Sequence, residues 1–252
     1  MKNASSGPYT LLAEFYDRLT QSVPRMNRHA RGKILGKLLA EARSACDLGC
    51  GTGETALDFA RRGLKVYAVD LSPTLCRITR QKARRDHLTV RVLCADMRRF
   101  RLPRPVDLVT CEFAALNHLR NLELATVLRA VARALRPGGW FLFDLNTLRS
   151  LKEQSNITEW METPQYKVLF RSRYHARRRI NTISFDWFVP AGRLWRYQKE
   201  SVPHIAWSDR AIRRALSQAG FRRVRFFDGM DVRPPMPGAK RGYDSYYLAQ
   251  RR

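Results

Sequence analysis

Short apolar runs alternate with longer stretches of mixed polarity along much of this chain. The runs have the length of buried strands, and the stretches between them carry apolar residues at helical spacing. One helix is expected after Gly53, and in the next one Ser72 is the predicted N-cap and Pro73 the first helical residue. Strands that alternate with helices predict an α/β protein whose mostly parallel sheet has helices on both faces. The predicted strands cover residues 44–48, 64–70, 90–97, 105–113 and 138–146.

The remaining segments predict additions to this sheet. Residues 9–40 carry apolar side chains every three or four positions, which predicts an amphipathic helical cap. Polarity alternates over 183–189, and 194–200 returns after a turn at 190–192, so a small antiparallel lid is expected. A helix over 208–220 and strands at 221–228 and 243–249 are predicted near the end. At 252 residues we expect one domain over 1–252. Its parts are the cap at 9–40, a ligand-binding half at 44–147, the lid insertion at 148–206, and a closing helix and hairpin at 207–252.

Three glycines at alternate positions, Gly49, Gly51 and Gly53, follow the first predicted strand. Glycine permits positive φ and lets a ligand lie against the backbone where a Cβ would clash. The spacing differs from the Gly-x-Gly-x-x-Gly pattern of dinucleotide sites, in which helix amides face a pyrophosphate. A ligand without phosphates is therefore favoured, and a plain tight turn is the alternative.

Acidic residues end the next two predicted strands. Asp70 follows Gly49 by about 20 residues, the offset at which an acid meets ribose hydroxyls in nucleotide-binding α/β units. Its two oxygens can accept hydrogen bonds from both hydroxyls of a diol. Asp96 can accept from an exocyclic amine, while Met97 packs on a flat ring. These positions predict a nucleoside-containing ligand at the carboxyl ends of the strands.

Four segments, 47–53 (DLGCGTG), 68–72 (AVDLS), 94–97 (CADM) and 135–139 (LRPGG), together resemble the class I S-adenosylmethionine-dependent methyltransferases. They occur in that family's order within residues 44–147. The resemblance implies a Rossmann-like seven-stranded sheet, with S-adenosyl-L-methionine as co-substrate. We expect no metal, because no His, Cys, Asp or Glu cluster has ligand spacing and transfer from a sulfonium needs no Lewis acid. The expected cofactor contacts are Tyr9, Asp47, Gly49, Gly51, Gly53, Asp70, Leu71, Asp96, Met97, Glu112 and Phe113.

Three further residues, Tyr16, His118 and His204, are predicted to lie where the methyl acceptor binds. The helix carrying Tyr9 and Tyr16 resembles the first helix of small-molecule methyltransferases, where such tyrosines close over the cofactor's methionine end; plain packing is the alternative. The lid resembles the added sheet of sugar-amine N-methyltransferases, which place a histidine near the acceptor just beyond strand four, as His118 is placed here. His118 is thus a candidate base or anchor, and a cap for the helix starting near Leu122 is its alternative role. His204, after the lid strands, can also reach the pocket. The candidate catalytic residues are His118, Tyr16 and His204.

Charge adds a competing hypothesis. Lys and Arg total 47 against 22 Asp and Glu, a net charge of +25, and such a balance can bind polyanions by counterion release. The arginines are spread along the chain, which favours a solvated surface, and residues 177–179 are the best candidates for a nucleic-acid contact. No Asn/Asp-Pro-Pro-aromatic sequence of nucleobase-directed enzymes follows strand four. A small-molecule acceptor is therefore favoured, N-directed slightly ahead of O-directed. An RNA or other polyanion methyltransferase and a non-catalytic cofactor-binding protein are the alternatives.

The same composition bears on location. No apolar run approaches the ~20 residues that span a bilayer, and the N-terminal residues lack the apolar core of a signal peptide. The five cysteines contain no Cys-x-x-Cys pair, so neither a zinc site nor a disulfide framework is indicated. Reduced thiols and a cytoplasmic location, with no membrane partner, are expected.

Overall fold

A computed structural model describes residues 11–19, 23–153, 155–232 and 244–252. Within these ranges, seven strands form one sheet in the order β10-β11-β5-β4-β1-β2-β3, and four form a second sheet in the order β6-β7-β8-β9. The first sheet is parallel except for β11, which runs antiparallel to both β5 and β10. The predicted seven-stranded, mostly parallel sheet is confirmed. The strands are β1 (Ser44–Leu48), β2 (Lys65–Asp70), β3 (Val90–Cys94), β4 (Val106–Cys111), β5 (Leu135–Asn146), β6 (Ile157–Thr163), β7 (Tyr166–His175), β8 (Ile180–Ala191), β9 (Leu194–Ile205), β10 (Phe221–Asp228) and β11 (Asp244–Arg251).

Helices cover both faces of the seven-stranded sheet, as predicted. Leu128 of α6 and Leu216 of α8 belong to the core on one face, which also contains Phe141 and Phe143 of β5. On the other face, α2 and α4 pack around the buried Phe59. The helices are α1 (Leu11–Leu19), α2 (Val23–Leu35), α3 (Lys37–Glu41), α4 (Glu54–Arg61), α5 (Pro73–Arg85), α6 (Asn121–Ala134), α7 (Leu148–Glu153), α8 (Asp209–Gln218) and α9 (Gly229–Val232), with a 3₁₀ turn at Ala115–His118.

Two predicted strands end earlier than expected. β3 stops at Cys94 because Asp96 begins a turn: its side chain accepts from the Arg98 amide at 2.8 Å. β4 stops at Cys111 because Phe113 and Ala114 take positive φ values of 66° and 53°, which turn the chain out of the sheet. Asp96 and Phe113 therefore lie in loops at the sheet edge.

The lid is a four-stranded antiparallel sheet, larger than the predicted hairpin. The predicted pair corresponds to β8 and β9, whose register joins Asn181 to His204 and Ala191 to Leu194. The turn lies after Ala191, because Pro190 still belongs to β8. One face of the lid packs against α1, where the buried Trp187 and Tyr166 meet Leu11. The lid insertion is thus joined directly to the cap.

Helix α1 is anchored by a carboxylate from the lid. The amide N–H groups of Leu11 and Leu12 donate to the two carboxylate oxygens of Glu200 in β9, at 2.9 and 3.0 Å. A negative charge at a helix N-terminus is favourable because it pairs amides that have no partner within the helix. The anchored helix carries Tyr16 to the carboxyl edge of the large sheet, where its ring lies edge-on to Phe113 at 5.8 Å.

Candidate functional site

A cleft of about 510 Å³, counted to its open mouth, lies at the carboxyl ends of β1 and β4. This is the edge of an open α/β sheet at which ligands bind. Six lining residues were expected from the sequence: Tyr16, Asp47, Gly49, Gly51, Glu112 and Phe113. Six others were not: Asp17, Asn27, Cys50, Thr52, Glu54 and Thr55. Tyr9 lies outside the described residues.

The three glycines of the turn after β1 have positive φ values of 70°, 55° and 89°, but they face different neighbours. A Cβ on Gly51 would point into the cleft, with the Tyr16 ring 3.9 Å away as its nearest described neighbour. A Cβ on Gly53 would lie 2.6 Å from a methyl carbon of Thr79, so this glycine permits close packing of α5. A Cβ on Gly49 would lie 3.2 Å from the Cβ of Ala115 in the 3₁₀ turn. Gly51 is therefore the member of the trio whose missing side chain leaves room for a ligand.

Asp70 is tied to the same turn. Its carboxylate accepts hydrogen bonds from the amides of Gly51 and Ser72, both at 2.9 Å. Burial raises the pKa of Asp70, although these backbone bonds oppose the shift. A carboxylate has lone pairs left for two more donors. Beside it, Leu71 is 63% exposed and offers an apolar surface at the edge of the sheet.

Asp96 has an ion-pair partner that the sequence analysis missed. Both of its carboxylate oxygens bond to the guanidinium of Arg98, which also reaches Glu123 of α6. The hydrogen bonds from Arg98 lower the pKa of Asp96. Met97 packs against the core beside the glycine turn. An adenine contact by Asp96 or Met97 stays a prediction, and any such contact at Asp96 shares the carboxylate with Arg98.

A second missed residue, Arg31, lies beneath the cleft and is only 2% exposed. Its guanidinium donates to Thr55 at 3.1 Å and to Asp58 at 2.9 Å, and it also pairs with Glu112. The signal was present in the sequence, because Arg31 falls on the apolar stripe of α2 between the buried Ala30 and Ile34. A charge within such a stripe indicates a buried ion pair.

His118 and His204 meet at the lid, with ring centroids 4.7 Å apart and planes at 67°. His118 Nδ1 lies 3.1 Å from the carbonyl oxygen of Pro203; because a carbonyl only accepts, this nitrogen carries the proton, and Nε2 of the neutral ring keeps a lone pair. His204 Nδ1 lies 3.3 Å from the side-chain nitrogen of Asn146, which can only donate. Burial lowers the pKa of His118, and burial together with the charge of His118 lowers the pKa of His204 to about 3. Both rings are therefore neutral at pH 7.

Asn117 holds the two histidines together. Its side-chain nitrogen donates to the carbonyls of Asn146 and Ile205 at 3.1 and 2.8 Å, and its oxygen accepts from the Asn146 amide at 2.9 Å. These bonds join the 3₁₀ turn, β5 and β9. The alternative role of His118 as a helix cap is wrong, because α6 begins at Asn121 and the Arg120 amide donates to Glu123 at 2.8 Å.

Within the described ranges, no three His, Cys, Asp or Glu side chains converge as metal ligands. None of the helices in those ranges combines the length and the apolarity that crossing a bilayer requires.

The five cysteines are free thiols, and Cys111 is buried in the core. Burial raises the pKa of the Cys111 thiol well above its usual range, which fits a core residue rather than a nucleophile.

Comparison with known proteins agrees with this geometry. Residues 45–139 match a family described as a methyltransferase domain. The dTDP-4-amino-2,3,4,6-tetradeoxy-D-glucose N,N-dimethyltransferase of Saccharopolyspora spinosa is 31% identical over 131 residues, which are 50% of this chain and 51% of that enzyme. The chain spans about half the length of the curated relatives it matches.

Solved structures share the fold over nearly the whole chain. An S-adenosylmethionine-dependent methyltransferase from Clostridium acetobutylicum is 21% identical, with a TM-score of 0.80 over 96% of this chain and 98% of that one. The sugar N-methyltransferase KedS8 from Streptoalloteichus is 21% identical, with a TM-score of 0.75 over 100% of this chain and 96% of that one. Residues 45–139 therefore form a methyltransferase domain, and the chain has the fold of a known S-adenosylmethionine-dependent methyltransferase. Its fold, lid included, is also similar to that of a sugar N-methyltransferase.

Proposed function

We propose that this protein transfers a methyl group from S-adenosylmethionine to a small-molecule acceptor, with nitrogen slightly favoured over oxygen as the methylated atom. The observation that carries the proposal is the neutral His118–His204 pair held under the lid, beside a cleft lined by the glycine turn. The 3₁₀ turn begins at Ala115, which contacts that cleft edge, and His118 follows about 6 Å further along its axis. A proton acceptor thus stands one short turn from the cofactor cleft.

The residues present fit this cofactor. The space at Gly51 admits a ligand against the backbone, and Asp70 has acceptor capacity for a ribose diol. Tyr16 and Phe113 provide aromatic edges at the mouth of the cleft. When bound, S-adenosylmethionine supplies an electrophilic methyl group on a sulfonium. The chain then has to hold the acceptor in line with that methyl, exclude water, and take up a proton.

We assign uptake of the acceptor's proton to His118. Methyl transfer would leave a surplus proton on the acceptor nitrogen, and Nε2 of His118 would accept that proton. The Nδ1–H bond to the carbonyl of Pro203 fixes the tautomer in which Nε2 carries the lone pair. His204 is neutral in the same range of pH and serves as the neighbour that orients His118. Tyr16 lines the acceptor side of the cleft.

An amino sugar is the acceptor class that the comparisons favour. One curated relative is named for N,N-dimethylation of a dTDP-linked amino sugar, and two structures of the same fold are a sugar N-methyltransferase and an amino pentose methyltransferase. The direct test incubates the purified protein with labelled S-adenosylmethionine and a panel of amino sugars, their nucleotide-linked forms, phenols and RNA. Methylation of an amine supports the proposal. Methylation of RNA only, or cofactor binding without turnover of any acceptor, would replace it.

Replacing Asp70 by alanine should weaken cofactor binding by about 1–3 kcal/mol, because the ribose hydroxyls lose their acceptor. Isothermal titration calorimetry with S-adenosylhomocysteine measures the change. Asp107→Ala is a matched control, since Asp107 also accepts two backbone amides, from Arg43 and Ser44 at 2.8 and 2.9 Å, at the opposite edge of the sheet. Equal losses of affinity in the two variants would show that Asp70 acts only through the fold.

Substitution of the arginines in the lid can distinguish a small-molecule enzyme from an RNA enzyme. Residues 177–179 are exposed in the turn between β7 and β8, at the end of the lid that carries His204. Replacing all three by glutamine should leave turnover of a small acceptor nearly unchanged. In the wild-type protein, binding of mixed RNA should be weak and should be lost between about 50 and 200 mM salt. Filter binding across that salt range tests this. Sequence-selective RNA binding that resists salt and disappears in the triple variant would favour the RNA enzyme.

A further inference from the structure

Two cysteine thiols meet at the edge of the large sheet, next to the segment that carries Asp70. Cys94 is the last residue of β3, and its register partner in β2 is Asp70. The sulfur of Cys76, early in α5, lies 3.5 and 3.9 Å from the carbonyl oxygens of Asp70 and Leu93. The Cys94 sulfur lies 3.7 Å from the carbonyl oxygen of Leu71. A side-chain hydrogen bond joins the two cysteines, so their thiols are direct neighbours.

The two thiols differ in their access to solvent. Cys94 is exposed, whereas Cys76 is fully buried. Burial, and next to it the charge of Cys94, raises the pKa of Cys76 to about 12, so Cys76 is protonated at pH 7. The exposed guanidinium of Arg80 donates to the Val92 carbonyl at 3.1 Å and places a positive charge beside the pair. An electropositive, exposed thiol is the kind that reacts, so a reagent in solution reaches Cys94 first. The remaining thiols are all buried: Cys46, Cys50 and Cys111.

We propose that Cys94 and Cys76 form a thiol–disulfide exchange site that takes disulfides of small thiols, and that its oxidation weakens cofactor binding. Exchange proceeds in two steps. The Cys94 thiolate attacks one sulfur of the small disulfide, forms a mixed disulfide and releases one small thiolate. Cys76 then loses its proton, attacks the Cys94 sulfur, closes the internal disulfide and releases the second small thiolate. The two cysteines lose two electrons and two protons in total, and the small disulfide gains them as two thiols.

Oxidation changes the segment that the proposed function assigns to the cofactor. A sulfur atom in a disulfide carries no hydrogen, so the carbonyls of Asp70 and Leu71 lose their S–H donors. The Asp70 carboxylate accepts from the Gly51 amide at 2.9 Å, so a shift of this segment is passed directly to the glycine turn. This coupling rests on the proposed function, because it presumes that Asp70 faces the ribose. The oxidised protein should bind S-adenosylhomocysteine about threefold to tenfold more weakly than the reduced protein.

The first test concerns the disulfide and needs no cofactor. The full-length protein is equilibrated in mixtures of glutathione and glutathione disulfide, quenched with acid, and examined by intact-mass and peptide mass spectrometry. The wild type should lose two hydrogens and yield peptides joined through Cys76 and Cys94. Cys76→Ser should stop at the mixed disulfide and gain one glutathione, whereas Cys94→Ser should not react, because its remaining thiols are buried. A wild type that gains glutathione without an internal disulfide, or a Cys94→Ser variant that reacts as fast as wild type, overturns the proposal.

The second test measures the coupling to the cofactor. Isothermal titration calorimetry with S-adenosylhomocysteine compares the oxidised and reduced wild type, and Cys94→Ser in the same two buffers is the matched control. The affinity of the wild type should change with oxidation, and that of the control should not. By linkage, saturating S-adenosylhomocysteine should shift the wild-type equilibrium toward the dithiol by the same factor. Equal affinity of the two wild-type forms contradicts the proposal. Failure of the reduced protein to bind the ligand contradicts the proposed function itself, and the mass measurement still decides whether the exchange site exists.

Discussion

Valine in place of Gly51 should reduce cofactor affinity by roughly a hundredfold or more, about 2.7 kcal/mol, while the protein still folds. Gly51 has a φ of 55°, and a Cβ there enters the cleft with the Tyr16 ring 3.9 Å away. The fold therefore has room for the first side-chain atom, and the branched methyl groups occupy the space through which the ligand approaches the backbone. Calorimetry with S-adenosylhomocysteine measures the affinity, and circular dichroism shows whether the variant is folded.

The strain of a β-branched residue at positive φ needs its own control. Gly63, after α4, has a φ of 81° with open space around it, and it does not line the cleft. Gly63→Val should lose a similar amount of stability, about 1–3 kcal/mol, without losing cofactor affinity. If Gly51→Val binds normally, Gly51 does not face the cofactor. If both valine variants lose binding to the same extent, the loss comes from backbone strain rather than from a filled site.

The parts of the fold that local sequence determines were predicted well. β1 agrees at both ends, and the Ser72 side chain accepts from the Leu75 amide at 3.3 Å with Pro73 at the first helical position. These features depend on residues close in sequence: apolar runs, caps and glycines. The parallel pairing of the central strands was also predicted, because strands joined by helices pair in parallel.

The missed features depend on partners far along the chain. β6 was not predicted because most of its seven residues are exposed. Its sequence therefore lacks the alternation of apolar and polar residues that identifies a half-buried strand. The meeting of His118 and His204 depends on Asn117, whose bond to the Ile205 carbonyl spans 88 positions in sequence. The capping of α1 by Glu200 spans 188 or more. The two candidate histidines were named separately from the sequence, and their pairing came only from the fold.

Replacing His118 by alanine should lower kcat by about a hundredfold to ten-thousandfold, the usual contribution of a general base. Cofactor affinity should change little, because His118 is not among the residues that line the cofactor cleft. His87→Ala is the control of the same chemical type, since His87 is exposed at the end of α5 and contacts neither the cleft nor the lid. Steady-state kinetics with the acceptor identified from the panel measure kcat and KM separately. Turnover by His118→Ala within a few-fold of wild type would remove this residue from the mechanism.

The pH profile distinguishes a base from a histidine that only shapes the lid. Burial lowers the pKa of His118 below its usual 6.5, so the neutral ring that accepts the proton is present at neutral pH and is lost only as the pH falls through that lowered pKa. The acidic limb of kcat/KM in the wild type should therefore lie below pH 6.5, and this limb should be absent in His118→Ala. Burial and the charge of His118 lower the pKa of His204 to about 3, so an acidic limb from His204 would lie near pH 3. A purely structural His118 would lower turnover at every pH and leave the acidic limb in place.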